Sequence, residues 1–272
     1  RWHGKANRLS PDDPVPWEII DHVADASRKL TSDLHGLELP DTPLTPTLTL
    51  PPQGGGQQNS PSPLEGEGKG EGESGPLAGR IIRQRRSLLA CDGKTSIPAE
   101  RFYAMLMRVM PRVELEVLRR PMPWDALPWD PAIHLGLFVH RVEGLAPGLY
   151  VLARDPARVD TLRKAMHEQF TWAVPPSCPA DLPLYLLEEG NAQRLATQVS
   201  CFQEIAGDGA FSLGMIAEYQ ASLFAQGPWF YRRLFWETGV IGQVLYLEAE
   251  AAGVRATGIG CFFDDPVHQA FG

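Results

Sequence analysis

Apolar and polar positions alternate along a segment near the middle of the chain, and this pattern predicts a β-strand. The alternation runs from Ile133 to His140 with the period of two that a strand imposes on its faces. Pro147 and Gly148 then form a turn signal, and the apolar run from Leu149 to Leu152 predicts a returning strand. Leu182 to Leu187 is a third candidate strand.

Helical spacing is found on both sides of these strands. Pro98 to Met110 is predicted as a helix, because proline suits a first helical turn and apolar residues follow three or four positions apart. The longest predicted helix covers Tyr231 to Ala252, and Gly253 is placed to end it. Gly239 and Gly242 lower the helix propensity of that segment, so we expect them to admit another backbone at close range.

Three further segments have weaker patterns. Trp17 to Leu30 and Arg194 to Ile205 show helical spacing. Ala210 to Tyr219 fits the alternation of a strand and the composition of a buried helix about equally well. Its structure therefore stays open between the two.

Composition divides the chain into three parts. Residues 39–79 run through consecutive prolines and glycines and a Gly/Glu alternation from Glu65 to Glu73. Such a segment cannot bury enough apolar surface to offset the entropy lost on ordering it, so a disordered linker or insertion is predicted. Residues 1–38 are a lead-in segment. Residues 80–272 form the main domain, which we expect to continue past its last residue here.

Charge and cysteine content argue against several classes of protein. The net charge of the 272 residues is −8, which disfavours nucleic-acid binding and a polybasic membrane contact. No apolar run approaches the ~20 residues of a membrane helix. The four cysteines are widely spaced, a pattern that favours neither a metal site nor a disulfide framework. No secretory signal is visible, and a cytoplasmic protein is expected.

Candidate chemistry lies first in a basic cluster after the predicted linker. Arg85 and Arg86 offer guanidinium forks that match phosphate oxygens, and Ser87 adds a hydroxyl donor. The same residues are also typical of a solvated, charged helix end, which is the commoner role of a charge run. Spacing alone leaves both interpretations open.

A second candidate is the glycine loop that follows the longest predicted helix, Gly258-Ile259-Gly260-Cys261. Glycine allows the backbone to take positive φ and allows a ligand to approach closely. N–H groups directed at a ring nitrogen would bind and polarise it. A tight turn explains the loop at least as well, because short glycine motifs are weak signals.

The order of these motifs resembles the nitroreductase family. IIRQRRS, which ends at Ser87, is similar to the family's opening motif, and the stretch from Phe235 to Asp265 is similar to its long central helix and flavin loop. GLFVHRVEGLAPGLYVL and SCFQEIAGDGAFSLGMIAEY resemble the subgroup related to azoline oxidases of ribosomal peptide maturation. The resemblance covers roughly Ile81 to Gly272 and touches ANRLSPDDPVPW near the start.

This resemblance implies an α+β fold with a central, mostly antiparallel sheet flanked by helices. It places the long central helix at the interface of a homodimer or a tandem pseudo-dimer. It implies flavin mononucleotide (FMN) as the cofactor and flavin-mediated hydride transfer as the activity, with NAD(P)H as a candidate electron donor and a small molecule or a peptide as substrate.

The resemblance also assigns cofactor-binding residues. The positions that match the phosphate end of the flavin are Arg85, Arg86 and Ser87. The positions that match the loop beside the isoalloxazine ring are Gly258, Ile259, Gly260 and Cys261. The N–H of Gly260 is the candidate donor to flavin N5, where it would stabilise negative charge on the reduced ring. The flavin performs the hydride chemistry and the protein positions it.

Three functions stay open within this resemblance. They are azoline-type oxidation of a peptide, NAD(P)H-dependent nitro or quinone reduction, and a catalytically silent half of a pair that serves assembly or substrate binding. Leu88 and Leu89 motivate the last of these, because the family usually places another basic residue there. The family's C-terminal arm also lies beyond Gly272. No catalytic acid or base is assigned.

The remaining polar candidates have simpler explanations. His134 and His140 share a strand face and suggest a metal pair, but packing or surface exposure is favoured because no third ligand is evident. Cys261 is interpreted as a small buried thiol rather than a reactive one. Asp264-Asp265 is predicted to cap the following helix. Tyr231 to Arg233 either lines a substrate pocket or begins an exposed helix.

Overall fold

The computed structural model describes residues 18–28, 78–112 and 120–272. Its strands are β1 (Ile97–Pro98), β2 (Ile133–Val139), β3 (Val142–Glu143), β4 (Gly148–Leu152), β5 (Leu184–Glu189) and β6 (Phe211–Ala217). Four of them form an antiparallel sheet in the order β5-β4-β2-β6. The two shortest, β1 and β3, pair in parallel. The predicted α+β fold class with a mostly antiparallel sheet is thereby confirmed.

Helices flank this sheet. They are α1 (Glu18–Ala26), α2 (Ala78–Gln84), α3 (Ala99–Arg108), α4 (Val159–Ala165), α5 (Gln193–Val199), α6 (Ile205–Asp208), α7 (Tyr219–Gln226), α8 (Tyr231–Ala251) and α9 (Asp264–Phe271). Most of the predicted lead-in and linker falls outside the described residues, although α2 begins at Ala78, within the last two positions of that linker. None of the described helices combines the length and apolarity needed to cross a bilayer.

The alternation in β2 separates two hydrophobic cores. Leu135 and Leu137 point into a core that also contains Leu106 of α3 and Ile241 of α8. Phe138 points the other way, into a second core built from α4, α5 and α9. Every residue of β2 is buried, because helices cover both faces of the central strand. The long helix α8 is therefore held against one face of the sheet, and α9 against the other.

The packing of α9 depends on the absence of a side chain at Gly136. A Cβ at this position of β2 would lie 2.7 Å from the Phe271 ring, a distance that real Cβ contacts do not reach. Phe271 fills that space and meets Phe138 edge-on, with 5.5 Å between ring centroids. The aromatic end of α9 is thus seated on the middle of the sheet.

Two of the predicted elements differ from the structure. The helix expected from Arg194 to Ile205 stops at Val199, because Cys201 and Phe202 take left-handed conformations with φ of 53° and 58°. The open segment from Ala210 to Tyr219 is strand β6, since seven of its residues pair in register with β2. Long-range pairing therefore decides an element that local composition left ambiguous.

The expectation for the glycines of α8 is wrong within the described chain. A Cβ at Gly239 would meet nothing within 4 Å, and one at Gly242 would meet only the Met215 methyl group, at 4.0 Å. The backbone of another described segment therefore does not approach either glycine closely. Gly253 does end the helix as predicted, with φ of +76° directly after the C-cap.

Candidate functional site

The basic cluster lies beside the glycine loop. It follows α2, and α2 is fixed on α8 by a hydrogen bond from Gln84 Nε2 to Glu250 Oε1 of 3.0 Å. Just after the cluster, the N–H of Leu88 donates to the carbonyl of Ala256 at 3.0 Å. The chain around the cluster therefore runs alongside the segment that leads into the loop.

The end of α8 sets the direction of that loop. Gly253 donates its N–H to the carbonyl of Glu250, and Val254 donates to the carbonyl of Ala249. With Gly253 at positive φ, these two bonds form a Schellman motif, which satisfies the last carbonyls of a helix and reverses the chain. The loop consequently starts beside the last turns of α8 rather than extending away from them.

Tyr246 of α8 connects the two segments. Its hydroxyl oxygen accepts the N–H of Gly258 at 2.6 Å and lies 3.3 Å from Ser87 Oγ. The guanidinium of Arg85 lies over its ring, 4.8 Å from the centroid. One side chain thus contacts both the first glycine of the loop and two of the three predicted phosphate-end residues.

These neighbours shift the pKa of the Tyr246 phenol. Partial burial acts to raise that pKa, but hydrogen bonding with the Ser87 and Thr257 side chains and with the Gly258 N–H acts to lower it. The positive charge of Arg85 acts in the same direction. The net result is a phenol pKa below its ordinary value of 10.0, because donors and a cation stabilise the phenolate form.

Sequence reasoning did not identify Tyr246. The residue lies in an apolar helix, where an aromatic side chain is most simply explained as core packing. The signal that could have identified it is its polar hydroxyl on the C-terminal half of a helix that leads directly into a glycine loop. Only the fold shows that this hydroxyl reaches Gly258 rather than solvent.

Arg85 and Arg86 are placed differently. The side-chain N–H groups of Arg85 have no acceptor among the described residues, so they remain available to an anion. Arg86 instead turns back on its own segment, and its Nη1 donates to the carbonyls of Arg83 and Arg85 at 2.9 Å and 2.8 Å. Its guanidinium closes the C-terminal end of α2, a favourable place for a cation.

The two loop glycines provide room rather than unusual backbone angles. Neither Gly258 nor Gly260 has a positive φ, so the loop does not use the left-handed backbone that glycine allows. A Cβ at Gly260 would meet nothing within 4 Å in the described chain, and its N–H has no acceptor among those residues. Gly260 therefore presents an open, unpaired backbone donor, whereas the N–H of Gly258 is already bound to Tyr246.

Ile259 and Cys261 attach the loop to the rest of the domain. Ile259 packs against the second hydrophobic core. Cys261 is exposed and forms a disulfide with Cys201, so the interpretation of Cys261 as a buried free thiol is wrong. The spacing of the cysteines gave no indication of this pair, because the two residues are 60 positions apart in sequence. Cys91 and Cys178 are free.

Two hydrogen bonds support the same attachment. Gln203 Nε2 donates to the carbonyl of Cys261 at 3.2 Å, and the N–H of Phe263 donates to the carbonyl of Val199 at 2.8 Å. Helix α9 then begins at Asp264. Asp264 and Asp265 lie in its first turn, but neither side chain caps it. The predicted capping role is wrong, although two carboxylates remain favourable at that end of a helix.

His134 of β2 and His140, which directly follows that strand, are both packed into the fold, as favoured. His134 Nδ1 accepts the N–H of Arg154 at 3.1 Å, so its Nε2 carries the proton toward Glu218. Burial is the main cause that lowers its pKa. His140 donates from Nε2 to the Ala206 carbonyl at 3.1 Å, and burial lowers its pKa to about 4. Both residues are 6 % exposed or less.

The basic residues at the start of α8 contact neighbouring side chains of the described domain. Arg232 donates from Nε to Ser27 Oγ at 2.9 Å, which joins α8 to α1. The guanidinium of Arg233 lies 4.8 Å from the ring centroid of Trp129 and 4.4 Å from that of Trp236. Arg232 and Arg233 therefore both interact with other residues of the described domain.

A cavity of about 710 Å³ is lined mainly by residues of α5 and α9 and of the segments beside them. Its lining includes Leu195, Phe202, Phe263 and Pro266, together with polar groups such as His167. Neither Arg85, Ser87 nor Tyr246 contributes to it. The cavity is therefore separate from the cluster of hydrogen-bonding groups around Tyr246.

Comparison with known proteins supports the fold. A scan against protein-family models and a search of curated proteins each found no match. A solved structure described as a "putative nitroreductase" from Anabaena variabilis matches with a TM-score of 0.53 and 21 % sequence identity. The match covers 71 % of this chain and 34 % of that one, so the chain spans about a third of the solved protein. The fold of this chain is therefore nitroreductase-like.

Proposed function

We propose that this chain is the FMN-binding domain of a flavin-dependent oxidoreductase. The observation that carries the proposal is the bridge made by Tyr246. Its hydroxyl contacts both Ser87 and the N–H of Gly258, so two motifs that are far apart in sequence lie next to each other in the fold. Separately, each motif has an ordinary explanation, but a charged helix end and a tight turn need not meet.

The donors at one end suit a phosphate. The guanidinium N–H groups of Arg85 have no acceptor in the described part of the chain, and Ser87 has an exposed hydroxyl 3.3 Å from that of Tyr246. Charge-assisted hydrogen bonds to a phosphate dianion are stronger than neutral ones. Arg86 would contribute its charge at longer range, since its Nη1 already binds backbone carbonyls.

The backbone at the other end suits a flat ring. A Cβ at Gly260 would meet nothing within 4 Å, and its N–H has no acceptor among the described residues. A backbone donor fixed in place can stabilise charge that develops on a bound ring without reorganising. When bound, FMN would supply the hydride transfer, and the residues of this chain would hold it and orient it.

A second subunit or a second domain is the proposed partner. The outer face of α8 and the adjoining helix α7 carry exposed aromatic residues, with Phe224 96 % exposed, Phe235 59 % and Trp236 53 %. Gly239 lies one turn beyond Phe235 with open space around it. Large apolar side chains exposed in this way are typical of interfaces. We therefore place a homodimer or pseudo-dimer contact along α8.

The substrate class follows from the resemblance alone. Azoline-type oxidation of a peptide is the first activity to test, and NAD(P)H-dependent nitro or quinone reduction is the alternative. The two differ in the direction of electron flow through the flavin. Oxygen-dependent oxidation of an azoline peptide indicates the first, and oxidation of NAD(P)H by a quinone indicates the second.

A catalytically silent partner is the second candidate function. The orientation of Arg86 favours it, because one of the two cluster arginines is occupied by backbone carbonyls. Leu89 is 96 % exposed where a further cation is expected. A silent chain would retain the fold and the helix surface while binding flavin weakly.

Titration with FMN decides between these functions. We expect purified protein to quench flavin fluorescence on binding, and Arg85→Ala to weaken binding by about 10- to 100-fold, which corresponds to ~1.5–3 kcal/mol. Arg194→Ala is the matched control, because it removes an equal charge from α5, where Arg194 is exposed and makes no side-chain hydrogen bond or ion pair with the described residues. Unchanged fluorescence at all FMN concentrations would overturn the proposal.

A further inference from the structure

Tyr246 occupies an unusual place in the hydrogen-bonding pattern of the domain. The oxygen of its phenol receives the N–H of Gly258 at 2.6 Å, and this bond has only one possible direction, because an amide can only donate. The second contact, with Ser87 Oγ at 3.3 Å, has no direction imposed by the heavy atoms. The role of Tyr246 therefore depends on which hydroxyl donates there.

A bound anion would fix that direction. A serine hydroxyl has one hydrogen and can accept as well as donate. If Ser87 gives its hydrogen to an anionic oxygen, its own oxygen is left to accept, and the phenol of Tyr246 is the adjacent donor. The hydrogen bonds then run one way, from the Gly258 amide to Tyr246, from Tyr246 to Ser87, and from Ser87 to the anion.

We propose that Tyr246 is a positioning residue that couples the phosphate end of the flavin site to the glycine loop through this one-way chain of hydrogen bonds. The proposal rests on the FMN-binding function put forward above and adds to it. Phosphate binding at Ser87 would strengthen the bond that holds Gly258, because hydrogen bonds in a chain polarise one another. The loop that presents Gly260 would then be ordered by the opposite end of the ligand.

The surroundings of Tyr246 support this role. Arg85 lies over the phenol ring at 4.8 Å, a cation–π contact that keeps a positive charge next to both the phenol and Ser87. The ring is part of α8, which is anchored in the core through Ile241 and Val244. A rigid element thus carries the connecting group, while Ser87 and Gly258 lie on the exposed segments that it connects.

Coupling makes a prediction that a simple packing role does not. Tyr246→Phe keeps the ring below Arg85 and removes only the hydroxyl. Ser87→Ala removes the other hydroxyl. We expect each variant to weaken FMN binding by about 10-fold, and the double variant to weaken it by no more than about 20-fold. Independent contacts would instead multiply to about 100-fold.

A second measurement follows the loop directly. Amide hydrogen exchange at Gly258 should slow when FMN binds to the wild-type protein. Riboflavin, which lacks the phosphate, should slow it much less. In Ser87→Ala, FMN and riboflavin should have similar effects on Gly258. This variant alters an exposed residue, so it keeps the test available if Tyr246→Phe does not fold.

Tyr231→Phe is the matched control, since Tyr231 lies on the same helix and its hydroxyl has no hydrogen-bond partner among the described residues. It should leave FMN affinity unchanged. Absence of FMN binding by the wild-type protein would overturn both this proposal and the proposed function. Multiplicative losses in the double variant, or equal protection of Gly258 by FMN and riboflavin in the wild type, would overturn the coupling alone.

Discussion

Arg154 and Glu237 form an ion pair in which both residues are almost fully buried, with 2 % and 1 % of their surface exposed. Arg154 follows β4 and Glu237 lies on α8, so the pair joins the sheet to the helix that carries Tyr246. The carboxylate also accepts the N–H groups of Ala132 and Ile133. Arg154 donates to the Val109 carbonyl and lies over the Trp124 ring. A buried pair is tolerated only when its polar atoms are satisfied in this way.

Removing one charge of this pair should destabilise the whole domain. We expect Glu237→Gln to lower the free energy of unfolding by about 3–5 kcal/mol, because Arg154 would remain buried without its counter-ion. Urea denaturation measures the change. Asp130→Asn is the matched control, since it removes an exposed carboxylate from its pair with Arg120 and should cost less than about 1 kcal/mol. Equal effects of the two variants would contradict the assignment.

His140 should make the domain sensitive to mild acid. Burial lowers its pKa from 6.5 to about 4 in the folded state, so the unfolded chain takes up a proton first as the pH falls. The stability contributed by neutral His140 is complete above about pH 6.5 and is lost between about pH 6.5 and 4. The loss approaches ~3 kcal/mol at 1.36 kcal/mol per pKa unit.

His140→Gln isolates this contribution. Glutamine keeps a donor for the Ala206 carbonyl but does not titrate. The difference in unfolding free energy between pH 7 and pH 4, measured by urea denaturation, should be smaller in the variant by about the amount lost in the wild type. An identical pH dependence in both proteins would show that His140 is not the responsible group.

Local patterns predicted the strands and the long helix because each pattern reflects one element. The alternation from Ile133 to Val139 and the helix end at Gly253 can both be recognised from residues that are adjacent in sequence. Tyr246 and the Cys201–Cys261 pair needed the fold, because their partners are distant in sequence. The direction of Arg86 also depends on the carbonyls left free at the end of α2. Residue types thus indicated the candidate site, but only the tertiary structure shows which of its residues contact one another.

The contact between Gly136 and Phe271 should be sensitive to a single methyl group. Gly136→Ala would place a Cβ 2.7 Å from the Phe271 ring, and we expect a loss of about 1–3 kcal/mol in unfolding free energy from overpacking. Gly190→Ala is the control, because a Cβ there meets nothing within 4 Å. It should change stability by less than about 0.5 kcal/mol.

A compensating substitution tests the same contact. Phe271→Leu creates space above Gly136, so Gly136→Ala should cost less in that background than in the wild type. A coupling energy above about 0.5 kcal/mol is expected for residues in direct contact. Additive effects of the two substitutions would show that Phe271 does not limit the space at Gly136.

The disulfide between Cys201 and Cys261 should be measurable both as a covalent bond and as a stabilising restraint. Denatured, unreduced protein should show only the two thiols of Cys91 and Cys178, and reduction should expose all four cysteines.

Because the bond joins residues 60 positions apart, the chain-entropy relation gives a stabilisation of about 4 kcal/mol as an upper value. Cys201→Ser with Cys261→Ser should therefore lower the melting temperature under oxidising conditions. Cys91→Ser should leave the difference between oxidised and reduced protein intact. Four reactive thiols before reduction would contradict the pairing and would leave the loop held by the Gln203 and Phe263 hydrogen bonds.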